Sequence, residues 1–189
     1  MLTGLPNLLT LTRIAIIPVF ILVFYLPFSF AHGLAAILFA LACFTDGLDG
    51  YLARRLEMQS PFGAFLDPVA DKLLVATCLL LLTGAKDVDY ITLPAIVIVG
   101  REIVISALRE WMAEIGKRAS VTVSYIGKVK TALQMLALML LLAFNPASSF
   151  WGKVGFVSLY VAAILTIWSM VIYIAIAWPE FSKKSDGSC

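Results

Sequence analysis

Histidine is almost absent from this chain: His32 is the only one, in the short uncharged stretch from Pro27 to Gly33. A lone loop histidine favours a solvent-facing side chain over a catalytic one, so chemistry built on histidine is not expected. Cysteine is scarce too. Cys43, Cys78 and Cys189 lie far apart with no C-x-x-C spacing, which argues against a disulfide framework and a thiolate metal site and leaves them as packing residues. The chain also lacks internal repeats, linkers and low-complexity stretches, so residues 1–189 read as one domain with a short polar tail over about 180–189. A small-x-small cleavage site is missing after the first apolar segment, which carries Arg13, so a removable signal peptide is not expected. Charge is sparse at 14% of residues, and a net charge of +2 says little by itself. No nucleic-acid partner is expected.

What is present in excess is hydrocarbon. Of the 189 residues 61% are hydrophobic and mean hydropathy is +0.98, well above the roughly 45–50% apolar share of soluble domains. The expected fold is an all-α integral membrane protein with six transmembrane helices. Hydropathy and punctuation place them near Pro6 to Phe28, Leu34 to Leu56, Pro61 to Thr83, Ile91 to Ile115, Ile126 to Phe144 and Val154 to Ala177. Pro68 complicates the third start, because a helix there could begin with Asp67 as its cap; a start near Pro61 is favoured. All lysines and arginines except Lys86 and Lys153 fall on the side where the chain starts. The positive-inside rule then puts both termini in the cytoplasm.

Four aspartates stand out against this background. Asp46, Asp49, Gly50 and Ala53 share a helical face at i, i+3, i+4 and i+7, followed by Arg54; Gly63, Asp67 and Asp71 share another at i, i+4 and i+8. On antiparallel helices rising about 1.5 Å per residue, Asp49 and Asp67 lie about 6–7 Å inward and Asp46 and Asp71 about 12 Å inward, so the acids pair by depth. Four uncompensated acids deep in a bilayer would cost roughly 10 kcal/mol on insertion scales. Two divalent ions, Mg²⁺ or Mn²⁺, would balance them with hard-cation chemistry suited to a phosphoryl group. Gly50 and Ala53 leave room beside the acids, and Arg54 is a fork-shaped phosphate donor. The alternatives are an ion-paired knot between the second and third helices, and a divalent-cation transporter.

The pattern Asp46-x2-Asp49-Gly50-x2-Ala53-Arg54-x8-Gly63-x3-Asp67-x3-Asp71 resembles the complete signature of the CDP-alcohol phosphatidyltransferases. The likeness extends to Pro6-Asn7-x2-Thr10-x2-Arg13, to Phe62 through Lys72, to Arg101-Glu102, to Ala107 through Glu114 and to Gly127-Lys128-Val129-Lys130-Thr131. It is nearest to the bacterial members that use glycerol 3-phosphate. The resemblance implies an active site in a cytoplasm-facing polar cavity of a multi-pass protein of the bacterial inner membrane. Asp46, Asp49, Asp67 and Asp71 would be metal ligands and Asp71 also the general base. CDP-diacylglycerol would meet Asn7, Thr10, Gly50, Ala53, Arg54 and Gly63, with its acyl chains among membrane lipids. The hydroxyl of glycerol 3-phosphate would attack the phosphorus bearing diacylglycerol, releasing CMP. A homodimer is what the family suggests.

A dianionic acceptor gives the basic fourth and fifth helices a purpose. Arg109, Lys128 and Lys130 are the leading phosphate ligands, with Arg101, Lys117 and Arg118 behind them; ion pairing is the competing reading for Glu102 and Glu110. Sister transferases using serine, inositol phosphate or another phospholipid are the nearest enzymatic rivals, and membrane prenyltransferases a more distant one.

Overall fold

A computed structural model describes residues 5–28, 30–56, 61–85, 90–116 and 125–183. Among them are six helices and no strand: α1 (Leu5–Phe24), α2 (Ala31–Leu56), α3 (Pro61–Gly84), α4 (Thr92–Glu114), α5 (Tyr125–Ala143) and α6 (Phe150–Lys183). The shortest, α5, has 19 residues and so extends about 28 Å, close to the thickness of a bilayer's hydrocarbon core.

Each helix is apolar on most faces rather than along one stripe. One set of side chains, including Phe20, Phe39, Leu74, Leu79, Ile98, Leu138 and Leu142, forms the buried core. Another set, including Leu22, Ile37, Phe44, Leu80, Ile96, Ile164 and Trp168, stays exposed on the outside. Helices apolar on both their inner and outer faces suit a lipid surrounding. Only α6, over Phe150–Pro179, is both long and uninterrupted enough to qualify as a span by composition alone among the described residues. Elsewhere the unbroken apolar stretches shorten to Thr10–Phe24, Ala31–Thr45 and Val129–Ala143. The remainder of those three helices carries much of the polar chemistry singled out in the sequence.

Three boundaries test the sequence reading. Helix α3 starts at Pro61 and runs through Pro68, as favoured, because neighbouring groups can take up the carbonyl that a proline leaves without its partner. Helix α1 stops at Phe24, short of the expected Phe28, where Tyr25 turns and Pro27 follows. Helix α6 continues past Pro179 to Lys183 instead of ending before it. One missing N–H does not end a helix whose preceding turns are already packed. Two of the cysteines behave as packing residues: Cys78 is buried, and the Cys43 Sγ lies 3.7 Å from the Met135 Sδ; Cys189 lies outside the described residues.

Helices α5 and α6 approach closely at a corner made by Asn145 and Pro146. The Ala147 N–H donates to the Asn145 side chain at 2.7 Å, and the Ser149 N–H to the Asn145 carbonyl at 2.9 Å. Gly152 fits against this turn: a Cβ there would lie 2.5 Å from the Asn145 carbonyl carbon and 2.6 Å from the Pro146 nitrogen. Since those atoms are backbone, Gly152→Ala is expected to destabilise the protein by about 1–3 kcal/mol, read as a lower unfolding midpoint in detergent. Gly100→Ala, whose Cβ meets no described atom within 4 Å, should leave the midpoint unchanged or raise it.

Candidate active site

Helices α1 and α3 meet through polar atoms. Thr10 is 1% exposed, and its hydroxyl donates to the Asp67 carboxylate. Thr10, expected to meet the nucleotide lipid, thus also touches one of the acids. Arg13, one turn further along α1, is also 1% exposed, so its head does not snorkel to solvent.

Asp67 and Asp71 are half-buried on α3 and one turn apart. Asp46, Asp49, Gly50, Ala53 and Arg54 lie on the last turns of α2, but their side chains fall outside the described residues, so the depth pairing of acids does too. Among the described residues no three acidic, cysteine or histidine side chains converge on one point. Asp67 and Asp71, at i and i+4 on α3, nevertheless offer only oxygen donors, and Asp67 also accepts the Thr10 hydroxyl. That donor chemistry fits a hard divalent cation.

Asp71 opens onto a cavity of about 220 Å³ between α3, α4, α5 and α6. The charged side chains lining it are Asp71, Lys72, Arg101, Glu102, Arg109 and Lys130. Among the described residues four cations face two carboxylates, a surplus of two positive charges. Such a surplus in a low-dielectric wall attracts an anion. Arg101, Lys130 and Arg109, three of the expected acceptor ligands, are thus brought together. Lys117 and Arg118, and the side chain of Lys128, lie outside the described residues, as does that of Asn7.

The cations are fixed by a network rather than left free. Glu102 accepts from Arg101 Nη1 at 2.7 Å and from Lys130 Nζ at 3.3 Å, joining α4 to α5. Lys130 is 2% and Arg101 9% exposed, so this carboxylate offsets two buried charges that would otherwise be costly. Ion pairing is therefore the correct reading for Glu102. Glu110 is exposed and makes no ion pair with another described residue. Lys72 donates to the Ser106 hydroxyl and ties α3 to α4. Arg101, Ile105 and Arg109 do share one face, as their spacing requires, with Arg101 and Ile105 buried and Arg109 reaching over Tyr173.

Five polar residues of this cavity escaped the sequence reading as site residues: Lys72, Glu102, Thr131, Gln134 and Tyr173. Gln134 is 4% exposed and lies one turn beyond Lys130, a spacing that marks it as sharing the Lys130 face. Tyr173 had a signal as well. Thr166, Ser169 and Tyr173 form a buried polar stripe at i, i+3 and i+7 on a helix with no charge between Lys153 and Glu180.

The CDP-alcohol phosphatidyltransferase family matches over residues 3–179, and the chain belongs to it. Relatives narrow the comparison. A Pseudomonas fluorescens protein called CDP-diacylglycerol--glycerol-3-phosphate 3-phosphatidyltransferase is 54% identical across 97% of this chain and 94% of its own length. Proteins of the same name from Pectobacterium atrosepticum and Salmonella typhimurium are 56% and 53% identical, over 90% and 92% of this chain and 93% and 94% of theirs.

Proposed function

We infer that this chain transfers the phosphatidyl group of CDP-diacylglycerol to sn-glycerol 3-phosphate, giving phosphatidylglycerophosphate and CMP. The observation that carries the acceptor assignment is the shared cavity: a candidate base, Asp71, and, among the described residues, a surplus of two positive charges face the same space of about 220 Å³. A dianionic phosphate matches that surplus, whereas serine, which carries no net charge, does not. The relatives' name supports the same substrates.

In this reading Arg109, Arg101 and Lys130 hold the acceptor phosphate, with Lys128, Lys117 and Arg118 available from the same basic region. Asp71 takes the proton of the attacking hydroxyl. The new bond joins that oxygen to the phosphorus bearing diacylglycerol, the bond from this phosphorus to the oxygen of CMP breaks, and CMP departs with the bonding pair. Asp46, Asp49, Asp67 and Asp71 would hold two Mg²⁺ or Mn²⁺ ions, which when bound supply Lewis-acid neutralisation of the diphosphate. Thr10 orients Asp67 for that role. Asn7, Thr10, Gly50, Ala53, Arg54 and Gly63 bound the nucleotide side, where Arg54 pairs with phosphate and the small residues admit it.

The six helices cross the bacterial inner membrane with both termini and the cavity on the cytoplasmic side, and two copies form a homodimer. The charge distribution supports this orientation, since water-soluble glycerol 3-phosphate must reach the basic cavity.

Arg109 is exposed, so its loss should not disturb folding. Arg109→Ala is expected to raise the KM for glycerol 3-phosphate about 10- to 100-fold, the worth of one charge-assisted phosphate contact, with little change in the KM for CDP-diacylglycerol. A rise confined to CDP-diacylglycerol would overturn the acceptor assignment.

A further inference from the structure

Helix α6 supplies no charge to the cavity, yet it contributes a buried tyrosine at the point where the two α4 arginines diverge. Tyr173 is 7% exposed. The Arg101 guanidinium carbon lies 5.9 Å from the centre of its ring and the Arg109 guanidinium carbon 5.5 Å. The Tyr173 hydroxyl also accepts a hydrogen bond from Arg109 Nη2 at 3.2 Å.

The two arginines need different kinds of help. Arg101 is buried and already fastened: Glu102 takes one terminal nitrogen, and the other lies 3.5 Å from the Ser169 hydroxyl. Arg109 is exposed, and among the described residues no carboxylate pairs with it. A long side chain in that position would disperse over many rotamers, and binding an anion would have to order it. The ring face attracts the cation and the hydroxyl fixes its plane, so the fork is already turned when the ligand arrives.

We propose that Tyr173 is a positioning residue for the acceptor: it holds the Arg109 guanidinium ready for the phosphate of glycerol 3-phosphate, and thereby favours phosphorylated over neutral acceptors. The proposal rests on the assignment of Arg109 to the acceptor phosphate. Tyr173 itself touches neither reacting atom, so its effect falls on acceptor binding rather than on the chemical step.

The test is steady-state kinetics of purified Tyr173→Phe and Tyr173→Leu, varying each substrate in turn, with Arg109→Ala run in parallel. Tyr173→Phe keeps both ring contacts and loses the hydroxyl, and should raise the KM for glycerol 3-phosphate about fivefold. Tyr173→Leu loses ring and hydroxyl together and should raise it about 20- to 50-fold. In both, kcat and the KM for CDP-diacylglycerol should stay within about twofold of the parent, a split that a packing defect would not give. An unchanged KM for glycerol 3-phosphate in folded Tyr173→Leu, or equal rises in both KM values, would overturn the proposal. If Tyr173→Leu does not fold, the isosteric Tyr173→Phe decides alone, and an unchanged acceptor KM there has the same force. Should Arg109→Ala leave the acceptor KM unaltered, the acceptor assignment itself falls. If Arg109→Ala raises it while the Tyr173 variants do not, only the role of Tyr173 falls.

Discussion

Asp71→Asn is expected to lower CMP release by about 10³-fold while the protein still folds, since positioned acid–base groups contribute typically 10²–10⁴. Asparagine matches aspartate in shape and can still accept a hydrogen bond, but it cannot take a proton from the acceptor hydroxyl. Asp71 is half-buried at a cavity wall rather than in the apolar core, so its neutral replacement should cost little stability. The informative comparison is with Arg109→Ala. Removing the base should depress kcat at saturating acceptor, whereas removing the phosphate ligand should be largely overcome by more acceptor. Labelled CMP release, measured beside the thermal unfolding midpoint, separates the two. Near-normal turnover in folded Asp71→Asn would remove the base assignment.

The second large effect is on stability. Glu102→Ala should destabilise the protein by about 3–5 kcal/mol, because it leaves two buried cations without their shared carboxylate. Lost packing alone cannot reach that figure, since the Glu102 side chain is 28% exposed and sits at the rim of a cavity. The cost lies in Arg101 and Lys130, which stay in place at 9% and 2% exposure. Glu102→Gln keeps an acceptor oxygen between them but no charge, so its loss should be intermediate. The unfolding midpoints of the two variants in detergent provide the measurement. Equal losses for Gln and Ala would mean that the negative charge carries the whole effect, and losses below about 1 kcal/mol in both would overturn this account of the network.

What could be read from the chain and what could not divides along a physical line. Helix existence followed from long apolar stretches, and the acids of α3 followed from their i, i+4 spacing, because both are local properties of the chain. The side-on partners were not local. Nothing near Thr10 in sequence points to Asp67, 57 positions away, and Glu102 reaches Lys130 across 28. Tyr173 reaches Arg109 across 64, which only the packing of α4 on α6 brings about. Proline is an unreliable stop here: Pro179 predicts the end of the sixth helix, but α6 runs through it. Charge sign, by contrast, is local, and of the basic residues that the sequence groups on α4 and α5, Arg101, Arg109 and Lys130 line one cavity.

The most direct test offers the purified protein labelled CDP-diacylglycerol with Mg²⁺ or Mn²⁺ and, separately, glycerol 3-phosphate, serine, inositol phosphate or no acceptor, following both CMP and the lipid product. The expected result is rapid CMP release with glycerol 3-phosphate alone, matched mole for mole by phosphatidylglycerophosphate and lost on chelation of the metal. Release at equal rates with serine or inositol phosphate, or no release with glycerol 3-phosphate, would contradict the account.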